Sequence, residues 1–409
     1  MRPYPATNNS STPLGGTARD GNTNEVWGAP RRPIRVLRVV DRLGYGMQPH
    51  GVGRLWLNSL LVFVGTDCDV IPCVLRLSDE LAAQFQQRGI RLHHLKKGRF
   101  DPSTIWTLCR FIRRERINVL HLEGFGASTF GRIAGALTGT PAILHVHDMY
   151  TRTPWYVRLF DRCLAPATAN IIAVSRPVAA ACVQRLHIPR QRVAVVPNGV
   201  EAQWATPVSP NQIAQLRVRL NIPATARVIG SVTRFHQQKD VPTFLEAVAH
   251  LRANGRACHA VIVGDGPDRA QIEQHMVRLG LQDLVHLAGF QADVRPFFAL
   301  MEITVFSSLS DEGCPLALLE AMAMGRAVVA TAVNGVMDIV RHEANGLLVP
   351  VKDAEAMAGA IARFLDDRAL EERVVAQAQQ DIAVYQIPAH AERIRQVYRE
   401  ALRRRPLDN

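Results

Sequence analysis

Short apolar runs of strand length alternate with helical periodicity from residue 34 onward, in two separate series. The run Ile-Arg-Val-Leu-Arg-Val-Val at 34–40 leads into a glycine-rich loop (Gly44, Gly46, Gly51, Gly53) and then an apolar helix from Arg54, which is how a parallel α/β unit opens. The same order recurs at 70–75, at 117–122 after an amphipathic helix over 103–116, at 142–146 and at 171–174. A polar stretch from Asn198-Gly199 to Ala224 interrupts it, and strands at 228–232, 260–263, 285–287, 303–306, 327–330 and 346–349 form the second series. Strands joined through helices run parallel, and parallel sheets carry helices on both faces. The chain is therefore expected to be α/β, with two doubly wound domains in tandem over 34–205 and 206–388. A polar, disordered leader over 1–33 precedes them, and an amphipathic helix within 389–409 packs back on the first domain. A ligand of such a pair is expected between the domains, at the carboxyl ends of the strands.

Composition narrows the setting. Hydrophobic residues make up 47% and charged residues 21% of 409, as in ordinary globular proteins. No run of 18 apolar residues exists to span a bilayer. Seven cysteines without a Cys-x-x-Cys pair, most of them among apolar neighbours, point to buried free thiols in a reducing cytoplasm and offer no metal site. The charge is unevenly placed: residues 31–200 hold 24 Lys+Arg against 10 Asp+Glu, whereas residues 201–409 hold 22 against 24. The first domain is thus the one to meet an anionic partner. Its basic segments are Lys96, Lys97 and Arg99, the helix face with Arg110, Arg113, Arg114 and Arg116, and the arginine–aromatic stretch 151–162 with Trp155 and Tyr156. Such a surface suits anionic lipid headgroups.

The chemistry concentrates in Ser310-Asp-Glu-Gly-Cys-Pro-Leu-Ala-Leu-Leu-Glu-Ala-Met-Ala-Met-Gly325. Glu312 lies in a Gly/Pro loop that opens a helix, and Glu320 lies within that helix. A loop carboxylate accepts hydrogen bonds from sugar hydroxyls, and the free N–H groups of a helix start suit a phosphate. Arg234 and Lys239 project from the loop after the first strand of the second domain, where a guanidinium and an ammonium can clamp a diphosphate and stabilise its developing charge without a metal. His147 ends the strand of Ile143-Leu-His-Val-His-Asp148; alternation puts His145 on the same face, so periodicity leaves the choice between them open. His121 belongs to the supporting shell. The first glycine loop fails the Gly-x-Gly-x-x-Gly fingerprint because Pro49 takes its last position. Gly264-Asp-Gly-Pro267 reads as a turn, and Asp67-Cys-Asp69 as a surface turn despite its Asp-x-Asp form.

In order, these pieces resemble glycosyltransferase family 4, retaining enzymes of the GT-B fold, in which two Rossmann-like domains face each other across a cleft. The likeness covers about 34–402: the glycine loop, His147, Val174-Ser175, Val196-Pro-Asn-Gly-Val200, Arg234 with Lys239, Gly264-Asp-Gly-Pro267, and Glu312 with Glu320. The resemblance implies that Glu312 meets the donor sugar, Glu320 the ribose hydroxyls, and Arg234 with Lys239 the diphosphate. It further implies that Gly313 and the backbone of Cys314, Pro315 and Leu316 meet sugar and phosphate, that Gly289 and Phe290 lie beside the base, and that Gly51 and Gly53 border the phosphates. Two departures stand out: Val52 separates Gly51 from Gly53, and a frequent Gly-Gly-x-x-Glu is Asn334-Gly335-Val-Met-Asp338 here.

The function expected is a cytoplasmic, metal-independent, retaining transfer of a hexose-type sugar from a nucleoside diphosphate, needing no cofactor, with His147, Arg234, Lys239 and Glu312 as catalytic residues. The acceptor is a saccharide or lipid-linked saccharide of a cell-surface polysaccharide, met at the inner face of a membrane. Two rivals are a catalytically silent scaffold, which would not need the Glu312, Arg234 and Lys239 set, and a basic nucleic-acid binder, which lacks any helix-turn-helix, zinc or RNP-type pattern.

Overall fold

The computed structural model describes residues 33–45, 48–49, 51–76, 83, 85–87, 89–149, 154–256 and 258–403. The expected leader, apart from Pro33, lies outside the described residues, as do Gly46 and residues 151–153 of the arginine–aromatic stretch. The first sheet contains β1 (Ile34–Val40), β4 (Cys68–Val74), β5 (His93–His94), β6 (Val119–Glu123), β7 (Ala142–Val146), β8 (Asn170–Ala173) and β9 (Val193–Val195). Between β1 and the first helix, β2 (Gly44–Tyr45) and β3 (Gln48–Pro49) form a small antiparallel pair. The strand order is β5-β4-β1-β6-β7-β8-β9, all parallel. The second sheet contains β10 (Val228–Val232), β11 (His259–Val263), β12 (Val285–Gly289), β13 (Ile303–Phe306), β14 (Ala327–Thr331) and β15 (Leu347–Val349), in the order β12-β11-β10-β13-β14-β15. It too is parallel throughout. Both sheets change winding direction beside their first strand, and that is where crevices form above strand ends.

The sheets are built from β-branched runs buried on both faces; Val36, Leu37, Val39, Val261, Ile262 and Val305 are wholly shielded from solvent. One hydrophobic cluster runs without a break from Val146 and Val174 of the first sheet region to Cys314, Leu318 and Val336 of the second. The C-terminal helix Ile387–Arg403 lays Ile394, Val397, Tyr398 and Ala401 against Val36, Val119, Ile143 and Ile172, the opposite face of the first sheet. Burial of each large side chain there contributes about 1.5–3 kcal/mol.

Local differences from expectation have physical causes. The first helix is Gly51–Leu61, so it begins three residues before Arg54 and takes Gly51 and Gly53 into its first turn. A Cβ on Gly53 would lie 2.0 Å from the Leu43 carbonyl oxygen, so the glycine lets the helix start press on the end of the preceding loop. Strands β5 and β9 went unforeseen because two or three residues are too few for a periodic signal. Asp67-Cys-Asp69 is not a surface turn: Cys68 is buried at the start of β4, Asp67 pairs with Arg395 and Arg399 of the C-terminal helix, and Asp69 pairs with Arg35.

Candidate active site

The loop after β13 carries Glu312, and the short helical turn Gln237–Lys239 after β10 carries Lys239. These neighbouring loops are stitched together. Leu309 N donates to the Gln238 carbonyl (2.8 Å), Gln238 Nε2 to the carbonyls of Ser310 (2.9 Å) and Asp311 (3.2 Å), and Ser307 Oγ to the Lys239 carbonyl (2.7 Å). The stitching brings Lys239 Nζ onto Glu312 Oε1, which also accepts from Ser308 Oγ at 2.6 Å. Glu312 is buried, whereas Lys239 retains 27% of its side-chain exposure. Arg234 is exposed on the same loop, and its neighbour Phe235 is fully buried as the anchor. Gly264 and Gly266 lie against this anchor: a Cβ on either would come within 1.8 Å of the Thr233 or 2.2 Å of the Phe235 carbonyl oxygen, respectively. The Gly-Asp-Gly-Pro turn is thus the platform on which the Arg234 loop rests.

Helix Leu316–Ala323 starts after Pro315 with no side chain capping it, so its first N–H groups remain available to an anion. Glu320 is buried within this helix and is met by Arg54 from the first helix, an ion pair between the two domains that the sequence reading missed. Arg54 also lies 5.2 Å above the Trp204 ring. Burial pushes the Glu320 carboxyl up to about 7, against the pull of Arg54 and with the help of nearby Glu201. Burial likewise raises the Cys314 thiol to about 12, so this cysteine is inert filling whose carbonyl accepts from Asn198 Nδ2 at 2.7 Å. Gly289 ends β12 in the left-handed region (φ 68°), and Phe290 stands about half exposed beside it.

The two domains meet backbone to backbone at this loop. A Cβ on Gly313 would sit 2.1 Å from the His147 carbonyl oxygen, and one on Gly335 would sit 2.1 Å from the Gly313 carbonyl oxygen. Gly335 N donates to the Glu312 carbonyl at 3.0 Å. Asp338, standing where an acidic residue one methylene longer is frequent, accepts from Arg176 N at 2.7 Å and so caps a first-domain helix. The structure therefore brings Lys239 onto Glu312 and Gly313 against His147 at the strand ends where a crevice is expected, with Glu320 about one turn into the helix that follows and Arg234 and Phe290 at exposed positions on neighbouring strand-end loops. Gly51 and Gly53 lie in the first turn of the helix that also carries Arg54. Between the two candidate histidines the structure discriminates: His145 is wholly buried, whereas the His147 side chain keeps 20% exposure.

Among the described residues, one trio, His121, Glu123 and His145, has ligand atoms within 4.8 Å of one another, close enough for a metal ion. The Arg38 guanidinium sits on Glu123 Oε1 at 2.7 Å, and His121 Nε2 is hydrogen-bonded to His145 Nδ1 at 3.1 Å. These atoms already satisfy one another, and a cation there would face a buried guanidinium, so the trio does not fit a metal.

Two parallel doubly wound sheets, with a carboxylate, a lysine and an uncapped helix start at neighbouring strand ends of the second, define an α/β protein of the GT-B class. Family comparison agrees, residues 49–204 matching the model described as Glycosyltransferase Family 4 and residues 212–381 that described as Glycosyl transferases group 1. The chain belongs to this glycosyltransferase family. It is 29% identical over 318 residues to an alpha-D-kanosaminyltransferase of Streptomyces kanamyceticus, covering 73% of this chain and 82% of that one. It is 26% identical over 280 residues to the UDP-Gal:alpha-D-GlcNAc-diphosphoundecaprenol alpha-1,3-galactosyltransferase of Escherichia coli, covering 66% and 72%. In fold it matches a glycosyltransferase from Rickettsia africae (TM-score 0.79, 17% identity, 91% and 99% covered). It also matches Anabaena HepE solved with UDP and glucose (TM-score 0.77, 19% identity, 89% and 98% covered).

Proposed function

We propose that this protein is a retaining, metal-independent glycosyltransferase that moves a hexose-type sugar from a nucleoside diphosphate to a saccharide or lipid-linked acceptor of a cell-surface polysaccharide. The observation that carries the reading is the Lys239–Glu312 pair beside an uncapped helix start, with Glu320 about one turn into that helix. A donor replaces the Lys239–Glu312 contact with its sugar on Glu312 and its diphosphate on Lys239, Arg234 and the helix N–H groups. Lys239 and Arg234 then stabilise the leaving diphosphate as charge develops, a role that elsewhere falls to a metal ion. The uridine diphosphate donor in the name of the Escherichia coli relative supports a nucleoside-diphosphate sugar. A panel of UDP-, GDP- and ADP-sugars, assayed with and without EDTA and with the product anomer read by NMR, tests this. Transfer that survives EDTA and keeps the donor's anomeric configuration is expected; an inverted product or activity restored only by Mn²⁺ overturns it.

The lipid-linked alternative for the acceptor draws support from helix Trp155–Cys163, which buries only Val157 and Asp161. Trp155 (70% exposed), Leu159 and Phe160 face outward, with Arg158 and Arg162 exposed along one edge. An exposed apolar stripe with a basic border is the pattern of a helix lying in a membrane interface. No helix among the described residues is long and apolar enough to cross a membrane. Sedimentation with anionic vesicles, lost in high salt and lost in Trp155→Ser/Phe160→Ser, is the expected result; a protein that stays in the supernatant at low salt points to a soluble acceptor.

A further inference from the structure

Behind the crevice, β6 ends in His121-Leu-Glu123, and the β7 segment carries His145-Val-His147. Glu123 and His145 are register partners, and two-residue alternation puts all four polar side chains on one face of the sheet. Arg38 of β1 completes the face, its Nε donating to Glu123 Oε1 at 2.7 Å and its Nη1 to Ser59 Oγ at 2.6 Å. Glu123 Oε2 lies 3.2 Å from His147 Nε2. His145 stacks on His147 with ring centres 4.3 Å apart, and His121 Nδ1 lies 2.7 Å from the Tyr398 hydroxyl of the C-terminal helix. His147 Nδ1 is shut off from solvent and has no protein partner.

The protonation states follow. Burial opposes charge on Glu123, yet the Arg38 guanidinium, with the hydrogen bond from His147, holds its carboxyl well below the usual carboxylate range. Burial lowers His121 to about 3 and His390 to about 4, and drives His145 well below the usual histidine range, so these neighbours are neutral. A carboxylate only accepts hydrogen bonds, so the nitrogen facing it must carry the proton. In the neutral imidazole the remaining nitrogen is then an acceptor, and only a donor satisfies it.

We infer that Glu123, braced by Arg38, is a positioning residue that fixes His147 with its proton on Nε2 and its lone pair on Nδ1, so that the part of the side chain that stays exposed is presented to the crevice in a single orientation. The inference deepens the proposed function and rests on its placement of His147 in the crevice. It also explains why a buried ion pair sits in the first domain, remote from the diphosphate site: it sets one tautomer. The C-terminal helix contributes through Tyr398 and His121, so the segment that returns to the first sheet also orders its reactive edge.

The test separates the inference from the reading beneath it. In full-length protein with ¹⁵N-labelled histidines, two-bond ¹H–¹⁵N correlations, assigned to His147 by comparison with His147→Gln, are expected to show Nε2 protonated and Nδ1 bare without any substrate. Glu123→Gln offers an amide that can donate as well as accept, so both tautomers should be populated. If that variant does not fold because Arg38 is left unpaired, Arg38→Met together with Glu123→Gln removes both charges and serves the same purpose. The folded variant should lose about tenfold or more in kcat while the donor KM stays within about twofold, since a misassigned tautomer harms the reacting complex more than ground-state binding. A proton on Nδ1 in the native protein, or a single unchanged tautomer with unchanged kcat in the variant, overturns the inference. Loss of the tautomer lock without loss of activity, alongside an active His147→Ala, leaves the lock standing and sinks the reading of His147 as a site residue.

Discussion

The crevice is framed by two kinds of ion pair, and their burial differs. At Arg38–Glu123 the cation and the anion are both sealed, with 1% and 3% of their side chains exposed. At Arg54–Glu320 and Lys239–Glu312 only the carboxylates are buried, while Arg54 and Lys239 keep 31% and 27% exposure. A sealed pair cannot trade partners, because each charge would be left desolvated. A pair with one end in water can, because the released cation is hydrated or taken by an anionic ligand. The first pair therefore belongs to the fold, and the other two are the ones that the proposed donor would displace.

Three measurements can break or sharpen this contrast. Arg38→Met alone should cost about 3–5 kcal/mol in denaturant unfolding, with Arg38→Met/Glu123→Gln recovering most of it, as for buried pairs broken from one side. Arg54→Met should cost less, because Glu320 can escape by taking up a proton, as a pKa near 7 allows; equal losses for Arg38 and Arg54 would erase the distinction. Next in size, Lys239→Ala should lower kcat by roughly a hundredfold or more, the scale of losing one transition-state charge partner. A raised donor KM with kcat intact would demote Lys239 to simple binding.

The smallest effect concerns pH. Glu320 has its carboxyl raised from 4.5 to about 7, so its contribution to folded stability is complete below 4.5 and is lost as pH rises through about 7. If Glu320 holds the ribose hydroxyls as proposed, nucleotide binding runs the other way, since they bind best to the ionised acceptor. Nucleoside diphosphate affinity, by calorimetry, should fall severalfold from pH 8 to pH 6, by at most about tenfold per unit. Glu320→Gln should flatten that part of the profile. An unchanged slope in the variant would assign the effect to the nucleotide's own phosphate.

Much of this was legible in the residues. The runs at 34–40, 142–146, 228–232 and 303–306 are the strands observed, because buried parallel strands announce themselves by unbroken local patterns. Glu312 was legible as a candidate beside Gly313 in a strand-end loop, Lys239 and His147 by their places after a strand, and Glu320 as the one acid in an apolar helix. Arg38, Glu123 and Arg54 were not. In Ile-Arg-Val-Leu-Arg-Val-Val the two arginines look alike, yet Arg35 points to Asp69 near solvent and Arg38 to Glu123, 85 positions along the chain. Only the sheet order, which sets β6 beside β1, decides between them. Likewise Arg54 meets Glu320 across 266 positions, and no local periodicity encodes a contact between domains.

The glycine seam has a mechanical consequence. His147, Gly313 and Gly335 press together through main chain alone, with hydrogen atoms where side chains would otherwise stand. The joint between the domains at this point has no rotamer to turn and no slack to absorb a larger residue. One methyl group at position 313 would act as a wedge against the His147 carbonyl oxygen of the first domain, and one at 335 as a wedge against the Gly313 carbonyl oxygen within the second. The seam works as a zero-clearance fit, and its tolerance is set by the van der Waals radius of an oxygen atom.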